Sequence, residues 1–91
     1  MLVEWLKKNG FRVDGDAWSK KYSKEVEVAF YGLQTSSFEV RITPLPNVDR
    51  DALHVAYFKD GKCYKSKFHT SGLTKAVRGI VATVKYAGYE L

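Results

Sequence analysis

Hydrophobic residues near the two ends of the chain recur at helical spacing. One broad stripe is formed by Leu2, Val3, Trp5 and Leu6. Asn9-Gly10 then supplies a left-handed stop, so the stripe predicts a helix over about residues 2–9. After a cap at Thr70 or Ser71, a second stripe is formed by Leu73, Val77, Ile80, Val81 and Val84. Gly88 ends this second helix, which at roughly 17 residues would run about 26 Å and cross a four-stranded sheet.

Two segments between the helices alternate apolar and polar residues with the period of a β-strand. The apolar positions are Val26, Val28 and Phe30 in the first, and Phe38, Val40 and Ile42 in the second. Because Gly-Leu-Gln-Thr-Ser lies between them, they predict an antiparallel hairpin over residues 25–43. A register that pairs Phe30 with Phe38 also pairs Val28 with Val40, Val26 with Ile42 and, on the other face, Glu27 with Arg41.

A second hairpin, over residues 53–68, is predicted around Asp60-Gly61. This dipeptide is the signal for a tight type I′ turn, and the register that follows from it pairs Tyr57 with Tyr64 and His54 with Lys67. One face, assigned to the core, then carries Leu53, Val55, Tyr57, Tyr64 and Phe68. The other face carries His54, Ala56, Phe58, Cys63, Lys65 and Lys67, and no glutamate is predicted among them.

These elements predict an α+β fold in a single domain, residues 1–91. The fold is an antiparallel sheet of four or five strands, built from hairpins 25–43 and 53–68, with a short N-terminal helix and a long C-terminal helix packed on one face. Two weaker extended segments, Phe11 to Val13 and Ala17 to Tyr22, flank a turn at Asp14-Gly15-Asp16. Pro44 begins a surface loop that reaches about Asp51. The pattern leaves open which face of the sheet the long helix covers.

The net charge of +5 is carried entirely by the last part of the chain. Residues 1–52 hold eight basic and eight acidic side chains, whereas residues 53–91 hold seven basic and only two acidic ones. This asymmetry is typical of a protein with one side that faces a polyanion. Around the second turn the lysines are Lys59, Lys62, Lys65 and Lys67.

These lysines predict a small basic nucleic-acid-binding protein of low sequence specificity. Their ammonium groups would contact phosphates while Phe58, beside His54, stacks on a base. The patch would extend to Lys75 and Arg78, and to Lys20, Lys21 and Lys24 if that segment folds alongside. Lysine outnumbers arginine eleven to four, which favours contact with the phosphate backbone over bidentate base recognition. DNA and RNA, single or double stranded, all stay open as targets.

The same residues also fit two roles that need no nucleic acid. In the first, lysines at a hairpin tip lie in water and discourage edge-to-edge pairing of strands, without any ligand. In the second, the chain is a protein-interaction or inhibitory module, in which the Phe58–His54 face or an exposed edge strand binds an acidic partner or a second copy. The aromatic content favours this second role, because six Tyr, five Phe and two Trp are many for one small core.

Catalytic, metal-binding and membrane signatures are weak in this sequence. Neither His54 nor His69 has a local spacing to a nucleophile and a carboxylate, so no enzyme is expected. Cys63 and the histidines lack the spacing of a zinc site, so no metal or cofactor is expected, and Cys63 is predicted to be a half-buried hydrophobe. A single cysteine excludes an internal disulfide and favours the cytoplasm. The first residues lack a signal-peptide pattern and neither helix is basic and amphipathic, so no membrane contact is expected.

Overall fold

Five antiparallel strands lie between two helices in the computed structural model, which describes residues 2–45, 52–70 and 72–91. The elements in chain order are α1 (Leu2–Lys8), β1 (Arg12–Asp14), β2 (Ala17–Val28), β3 (Gly32–Pro44), β4 (Leu53–Lys59), β5 (Lys62–His69) and α2 (Leu73–Tyr86). The strand order in the sheet is β1-β2-β3-β4-β5, so strands adjacent in sequence are paired. The predicted antiparallel sheet with a short first helix is confirmed. The sequence predicts a loop that begins at Pro44 and reaches about Asp51, but Pro44 is the last residue of β3, and residues 46–51 lie outside the described residues.

The second helix is shorter than predicted. It spans 14 residues, and its N-cap position is Gly72 with a φ of 107°. That backbone conformation is not helical, so the helix begins only at the next residue. Ser71, one of the two predicted caps, lies outside the described residues, and Thr70 precedes Gly72 by two positions. Within the described part of the chain, neither helix is long and apolar enough to cross a membrane.

Both helices end in the same backbone motif, at the two glycines that the sequence predicts. Gly10 and Gly88 have φ values of 83° and 92°, which glycine adopts without the steric cost of a side chain. After each glycine, a backbone N–H donates to a carbonyl five residues earlier: Phe11 to Leu6 at 2.9 Å, and Tyr89 to Val84 at 3.1 Å. This motif turns the chain so that Phe11 joins the core and Tyr89 packs against it.

The predicted register of the first hairpin is wrong, because β2 is one continuous strand from Ala17 to Val28. The core positions of β3 pair with its first half: Ile42 with Trp18, Val40 with Lys20, and Phe38 with Tyr22. Val26 and Val28 instead lie opposite Gln34 and Gly32, and Phe30 lies in the turn. Arg41 forms ion pairs with Asp14 at 2.8 Å and Glu39 at 3.3 Å, not with Glu27. The physical reason is that Lys20 and Lys24 interrupt the apolar alternation of β2, so the sequence pattern does not show that the first half of the strand faces the core.

The outer halves of β2 and β3 extend beyond the rest of the sheet. β1 pairs with β2 only at residues 17–19, and β4 pairs with β3 only at residues 38–44. Residues 24–36 therefore form a two-stranded ribbon, named here the β2–β3 arm. The molecule has a longest dimension of 53 Å and the two others near 22 Å, in keeping with an elongated shape.

The second hairpin has the predicted turn but a different register. Asp60 and Gly61 both have positive φ values, 51° and 83°, as a type I′ turn requires. The pairs Phe58–Cys63 and Tyr57–Lys65 leave Tyr64 as the extra residue of a β-bulge. Beyond the bulge every β5 side chain changes face, so the pairs become Val55 with Lys67, His54 with Phe68, and Leu53 with His69. The predicted pairs Tyr57–Tyr64 and His54–Lys67 are wrong.

The buried core combines β3 and β4 with residues of both helices. Its members are Leu6, Phe11, Phe38, Val40, Ile42, Leu53, Val55, Tyr57, Ala76, Ile80 and Val84. The sheet side that carries Val40, Val55 and Tyr57 is named here the α2 side, because Ile80 and Val84 pack in the same cluster. The opposite side, which carries His54 and Phe58, is named the Phe58 side.

Candidate nucleic-acid interface

Most lysines of the sheet lie on the α2 side. Residues directly opposite each other in an antiparallel pair share a side, so the pairs with Val40, Tyr57 and Val55 place there Lys20, Lys65 and Lys67. Lys59 lies opposite Phe38, and Lys62 lies opposite Lys59, so both of these lysines are also on the α2 side. Lys24 lies opposite Ser36, two residues from Phe38, and so is also on this side. In the described strands, no Asp or Glu shares the α2 side.

The carboxylates of the strands lie on the Phe58 side. They are Asp14, Glu25, Glu27 and Glu39. Glu39 lies directly opposite Phe58, so the expectation that no glutamate shares that face is wrong. Arg12, Lys21 and Arg41 are on the same side, and Arg41 is paired with Asp14 and Glu39. Among the described strand residues, charges of both signs therefore nearly cancel on the Phe58 side, whereas those of the α2 side are all basic.

Exposed tyrosines accompany the lysines on the α2 side. Tyr64 is 52% exposed and Tyr86, in the last turn of α2, is 96% exposed. Both line a shallow cleft between β5 and α2 with Lys65, Ala82 and Thr83. They also line an adjoining cleft of about 520 Å³, which includes Lys24, Lys59 and Tyr89. Aromatic rings beside ammonium groups in an open cleft can stack on a base while phosphates are held nearby.

Lys65 is positioned against α2. Its Nζ donates a hydrogen bond to Thr83 Oγ1 at 3.5 Å and lies 5.9 Å from the centre of the Tyr57 ring. Burial raises the pKa of the Tyr57 phenol; a hydrogen bond with Thr83 partly opposes this effect, and the nearby Tyr64 adds to it. Burial also raises the pKa of Tyr64. Both phenols are therefore neutral beside the lysine at physiological pH. The buried Tyr57 ring faces the ammonium group of Lys65, whereas only the exposed Tyr64 ring can accept a stacked base.

Lys62 and Lys67 are exposed on the same side of the β5 edge strand. Lys65 and Lys67 lie two residues apart, which is about 7 Å along a strand. The surface formed by Lys59, Lys62, Lys65 and Lys67 with Tyr64 and Tyr86 is named here the lysine surface. Lys75 is exposed one helical turn before Gly79, where a Cβ would lie 3.2 Å from the His69 ring. Lys75 is therefore on the β5 flank of α2 and extends the surface, whereas Arg78 is exposed about 100° around the helix from Gly79.

Lys20 and Lys24 contact the ends of the helices. Lys20 Nζ lies 5.1 Å from the centre of the Tyr22 ring, and 3.5 Å from the position that a Cβ on Gly10 would take. Lys24 Nζ lies 4.7 Å from the centre of the Tyr89 ring, next to Gly88. A helix C-terminus carries partial negative charge, so each ammonium group stabilises the helix end beside it. Of the three β2 lysines that the sequence proposes, Lys24 borders the larger cleft and Lys21 lies on the Phe58 side.

The structure separates Phe58 and His54 from the lysines beside which the sequence places them. Phe58 is partly buried opposite Glu39, and its β5 neighbour is Cys63. The His54 ring packs at a tilt against Phe68, with a centroid distance of 4.7 Å. Because of the bulge, Phe68 moves from the predicted core face to this side and is 64% exposed. Sequence patterns miss Tyr64 because a regular ladder assigns it to the core. The exposure of Tyr86, in contrast, could have been predicted, because this residue lies off the apolar stripe of α2.

Among the described residues, the two histidines lie on opposite sides of the sheet. His69 pairs with Leu53 on the α2 side, whereas His54, the next residue along β4, lies on the opposite side. Burial lowers the pKa of His69, and the nearby charge of Lys67 adds to this effect. Cys63 is exposed, not half-buried as predicted. Within residues 2–45, 52–70 and 72–91, no three His, Cys, Asp or Glu side chains come together as metal ligands would.

No family model matches the chain, and no curated protein or solved structure is detectably similar to it. Similarity therefore contributes nothing to the assignment of function, which depends on the charge and geometry of the residues.

Proposed function

We propose that this protein binds single-stranded nucleic acid with low sequence specificity through the lysine surface. The observation that carries the proposal is the separation of charge between the two sides of the sheet. Lysines without carboxylates lie on the α2 side with exposed tyrosines, and mixed charges lie on the other. Lysines that neutralise phosphates release counterions, and rings that stack on bases add affinity without reading sequence.

Edge protection alone explains only part of this arrangement. β5 is an edge strand, and lysines on an edge discourage pairing with another chain. That role does not require Tyr64 and Tyr86 to be exposed beside the lysines, since exposed aromatic rings favour association. A surface that combines both residue types is better explained by a ligand that is both anionic and aromatic.

The chemistry of the lysine surface favours single strands and low specificity. Lysine acts as a point charge toward phosphate and lacks the planar fork with which arginine recognises a base edge. The cleft between β5 and α2 is open to an unpaired base, whereas the bases of a duplex are already stacked on each other. DNA and RNA share this chemistry, and the proposal covers both.

The proposal extends to the packing of the helices, the absence of catalysis and the cellular location. We infer that both helices pack on the same face of the sheet, which the presence of Leu6 and Ile80 in one buried cluster supports. The protein is a binding protein and not an enzyme, which the positions of His54 and His69 on opposite sides support. It acts in the cytoplasm, where the exposed thiol of Cys63 would stay reduced.

Charge reversal on the two sides of the sheet tests the proposal. The variant Lys65→Glu/Lys67→Glu should weaken binding of a labelled single-stranded oligonucleotide by more than about tenfold, because it replaces attraction to phosphate with repulsion. The matched control, Arg12→Glu/Lys21→Glu, makes the same change of net charge with exposed residues of the Phe58 side and should have a much smaller effect. Fluorescence anisotropy measures both, and circular dichroism checks that both variants fold. Equal losses in the two variants would contradict a localised site.

A protein-interaction role is the second candidate, and Phe68 is the residue that favours it. Its ring is 64% exposed and packs at a tilt against His54, on the side of the sheet that carries charges of both signs. A surface with both signs of charge suits a protein partner, which also carries both signs, better than it suits a nucleic acid, which is uniformly anionic. Self-association that is lost in Phe68→Ala would support this candidate, and self-association that is unchanged would exclude this side as the interface.

A further inference from the structure

The β3 edge of the β2–β3 arm has no strand beside it among the described residues. β4 pairs with β3 only from residue 38 onward, so residues 32–36 present their outward N–H and C=O groups to solvent. Such an edge is a template for main-chain pairing with another strand.

Its composition distinguishes this edge from the other strand edges. Charged residues occur on the arm's other strand (Lys24, Glu25, Glu27), on β1 (Arg12, Asp14) and on β5 (Lys62, Lys65, Lys67). Residues 32–36 of β3 read Gly-Leu-Gln-Thr-Ser and carry no charge. Proteins usually place charges on exposed edges to prevent pairing, so an edge without them is suited to pairing.

The number of strands in the arm gives a second, independent argument. A two-stranded hairpin alone in water is at best marginally stable, and three or more strands are needed for independent stability. The arm nevertheless exposes Val26, Tyr31 and Leu33, the last of these to 66%. A further strand on the free β3 edge would add main-chain hydrogen bonds and cover part of this apolar surface.

The backbone at the arm's tip is strained in a way that suggests a contact. Phe30 has a φ of 73° and its side chain is fully exposed. The left-handed region costs about 1–2 kcal/mol for a residue that carries a Cβ, and glycine or asparagine would form the turn at lower cost. An aromatic ring in this position is expected where the ring contacts something else.

We propose that residues 32–36 pair antiparallel with the same edge of a second copy of this chain, which joins the two arms into a four-stranded ribbon. The pairing is isologous, because an antiparallel strand edge is complementary to itself about a two-fold axis. If it is centred near Gln34, the tip of each arm, with Phe30 and Tyr31, reaches the base of the other arm. Leu33 then lies within the interface.

Sedimentation velocity over a range of protein concentrations, without nucleic acid, tests this pairing. The test variant is Thr35→Lys, and the matched control is Glu25→Lys, whose position lies directly opposite Thr35 but on the other edge of the arm. The wild type should dimerise with rising concentration. Thr35→Lys should raise the dimer dissociation constant by roughly tenfold or more, because it brings lysines of the two copies together. Glu25→Lys should leave the constant nearly unchanged.

Three results would overturn the proposal. They are a wild type that stays monomeric up to its solubility limit, a dimer that Thr35→Lys does not weaken, and a dimer that both variants weaken equally. A dimer lost in Phe68→Ala but kept in Thr35→Lys would assign the interface to the Phe58 side instead. Because no nucleic acid is present, none of these outcomes depends on the function proposed for the lysine surface.

Discussion

Tyr64 decides which side of the sheet carries Lys65 and Lys67. As the extra residue of the bulge, it shifts the ladder by one position and moves both lysines onto the α2 side. In a regular ladder the same lysines would lie with Phe58 and Glu39. One residue therefore produces the purely basic character of the lysine surface, and its own ring remains exposed there.

Removal of either exposed ring of the lysine surface should weaken binding to single strands. Tyr64→Ala and Tyr86→Ala should each cost about 1–3 kcal/mol in binding, the usual contribution of a ring stacked on a base. Phe68→Ala is the matched control, because Phe68 is similarly exposed but lies on the Phe58 side. Fluorescence anisotropy with an oligonucleotide and with its abasic counterpart makes the comparison. A greater loss in Phe68→Ala than in both tyrosine variants would contradict the assignment.

His69 makes the stability of the fold depend on pH. The ring is buried against Gly79 of α2, and burial, with the charge of Lys67, lowers its pKa below the ordinary value of about 6.5. As the pH falls, the unfolded chain therefore binds a proton at this residue before the folded protein does. The free energy of unfolding contributed by His69 is fully present above about pH 6.5 and decreases as the pH falls toward the folded-state pKa.

Urea denaturation between about pH 5 and pH 7.5 checks this dependence. The free energy of unfolding of the wild type should decrease on acidification more steeply than that of His69→Gln, which cannot take up the proton. His54→Gln, which keeps His69, is measured alongside as the control for the loss of a histidine. Parallel curves for the wild type and His69→Gln would mean that the neutral imidazole is not favoured by its surroundings.

At the scale of elements, the sequence predicts which segments are helices and turns better than it predicts which strands pair. The glycine stops at Gly10 and Gly88 and the turn at Asp60-Gly61 depend on local backbone chemistry, and all three are found as predicted. The register of β2 is set by its first half, which pairs with the core residues of β3. Within that half, Lys20 lies opposite the core residue Val40 and beside Gly10 at the end of α1. A lysine with such a tertiary role interrupts the apolar pattern, so the alternation farther along the strand gives the wrong pairing.

Only part of the proposed site could be predicted from the sequence, because the rest depends on tertiary structure. The lysines of the second hairpin could be found from charge alone, because they cluster in sequence. The aromatic residue proposed to stack could not, since whether Phe58 or Tyr64 lies beside these lysines depends on a bulge that has no local signature in the strand pattern. The contribution of Tyr86 requires α2 to lie beside β5, which is a tertiary contact.

The repeated helix end gives a prediction at this scale. Gly10→Ala and Gly88→Ala should each lower the free energy of unfolding by about 1–2 kcal/mol, because alanine is strained in the left-handed conformation. The two losses should be similar, since the new Cβ at Gly88 would lie 2.9 Å from Lys24 Nζ, the mobile end of a side chain that can move aside at little cost. Thermal or urea denaturation measures both. Two variants as stable as the wild type would show that neither helix needs its glycine.

At the scale of the whole molecule, the fold separates acidic from basic side chains between the two sides of the sheet. The chain carries +5, yet the carboxylates of β1, β2 and β3 lie on one side of the sheet and most strand lysines on the other. A polyanion is therefore attracted to one side, which also carries the exposed tyrosines. The base of the arm borders the cleft that Tyr64 and Tyr86 line, so the proposed strand pairing and the proposed nucleic-acid binding would involve different residues in adjoining parts of the molecule.

Nucleic-acid binding by the lysine surface is tested most sharply by its salt dependence, measured by fluorescence anisotropy with labelled single-stranded and duplex oligonucleotides. If the four lysines of the lysine surface each contact one phosphate of a single strand, the dissociation constant should rise about 50-fold between roughly 50 and 200 mM salt. The single strand should also bind more tightly than the duplex, because only its bases are free to stack on Tyr64 and Tyr86. Absence of binding at the lowest salt, or binding that is insensitive to salt, would contradict phosphate contact by these lysines.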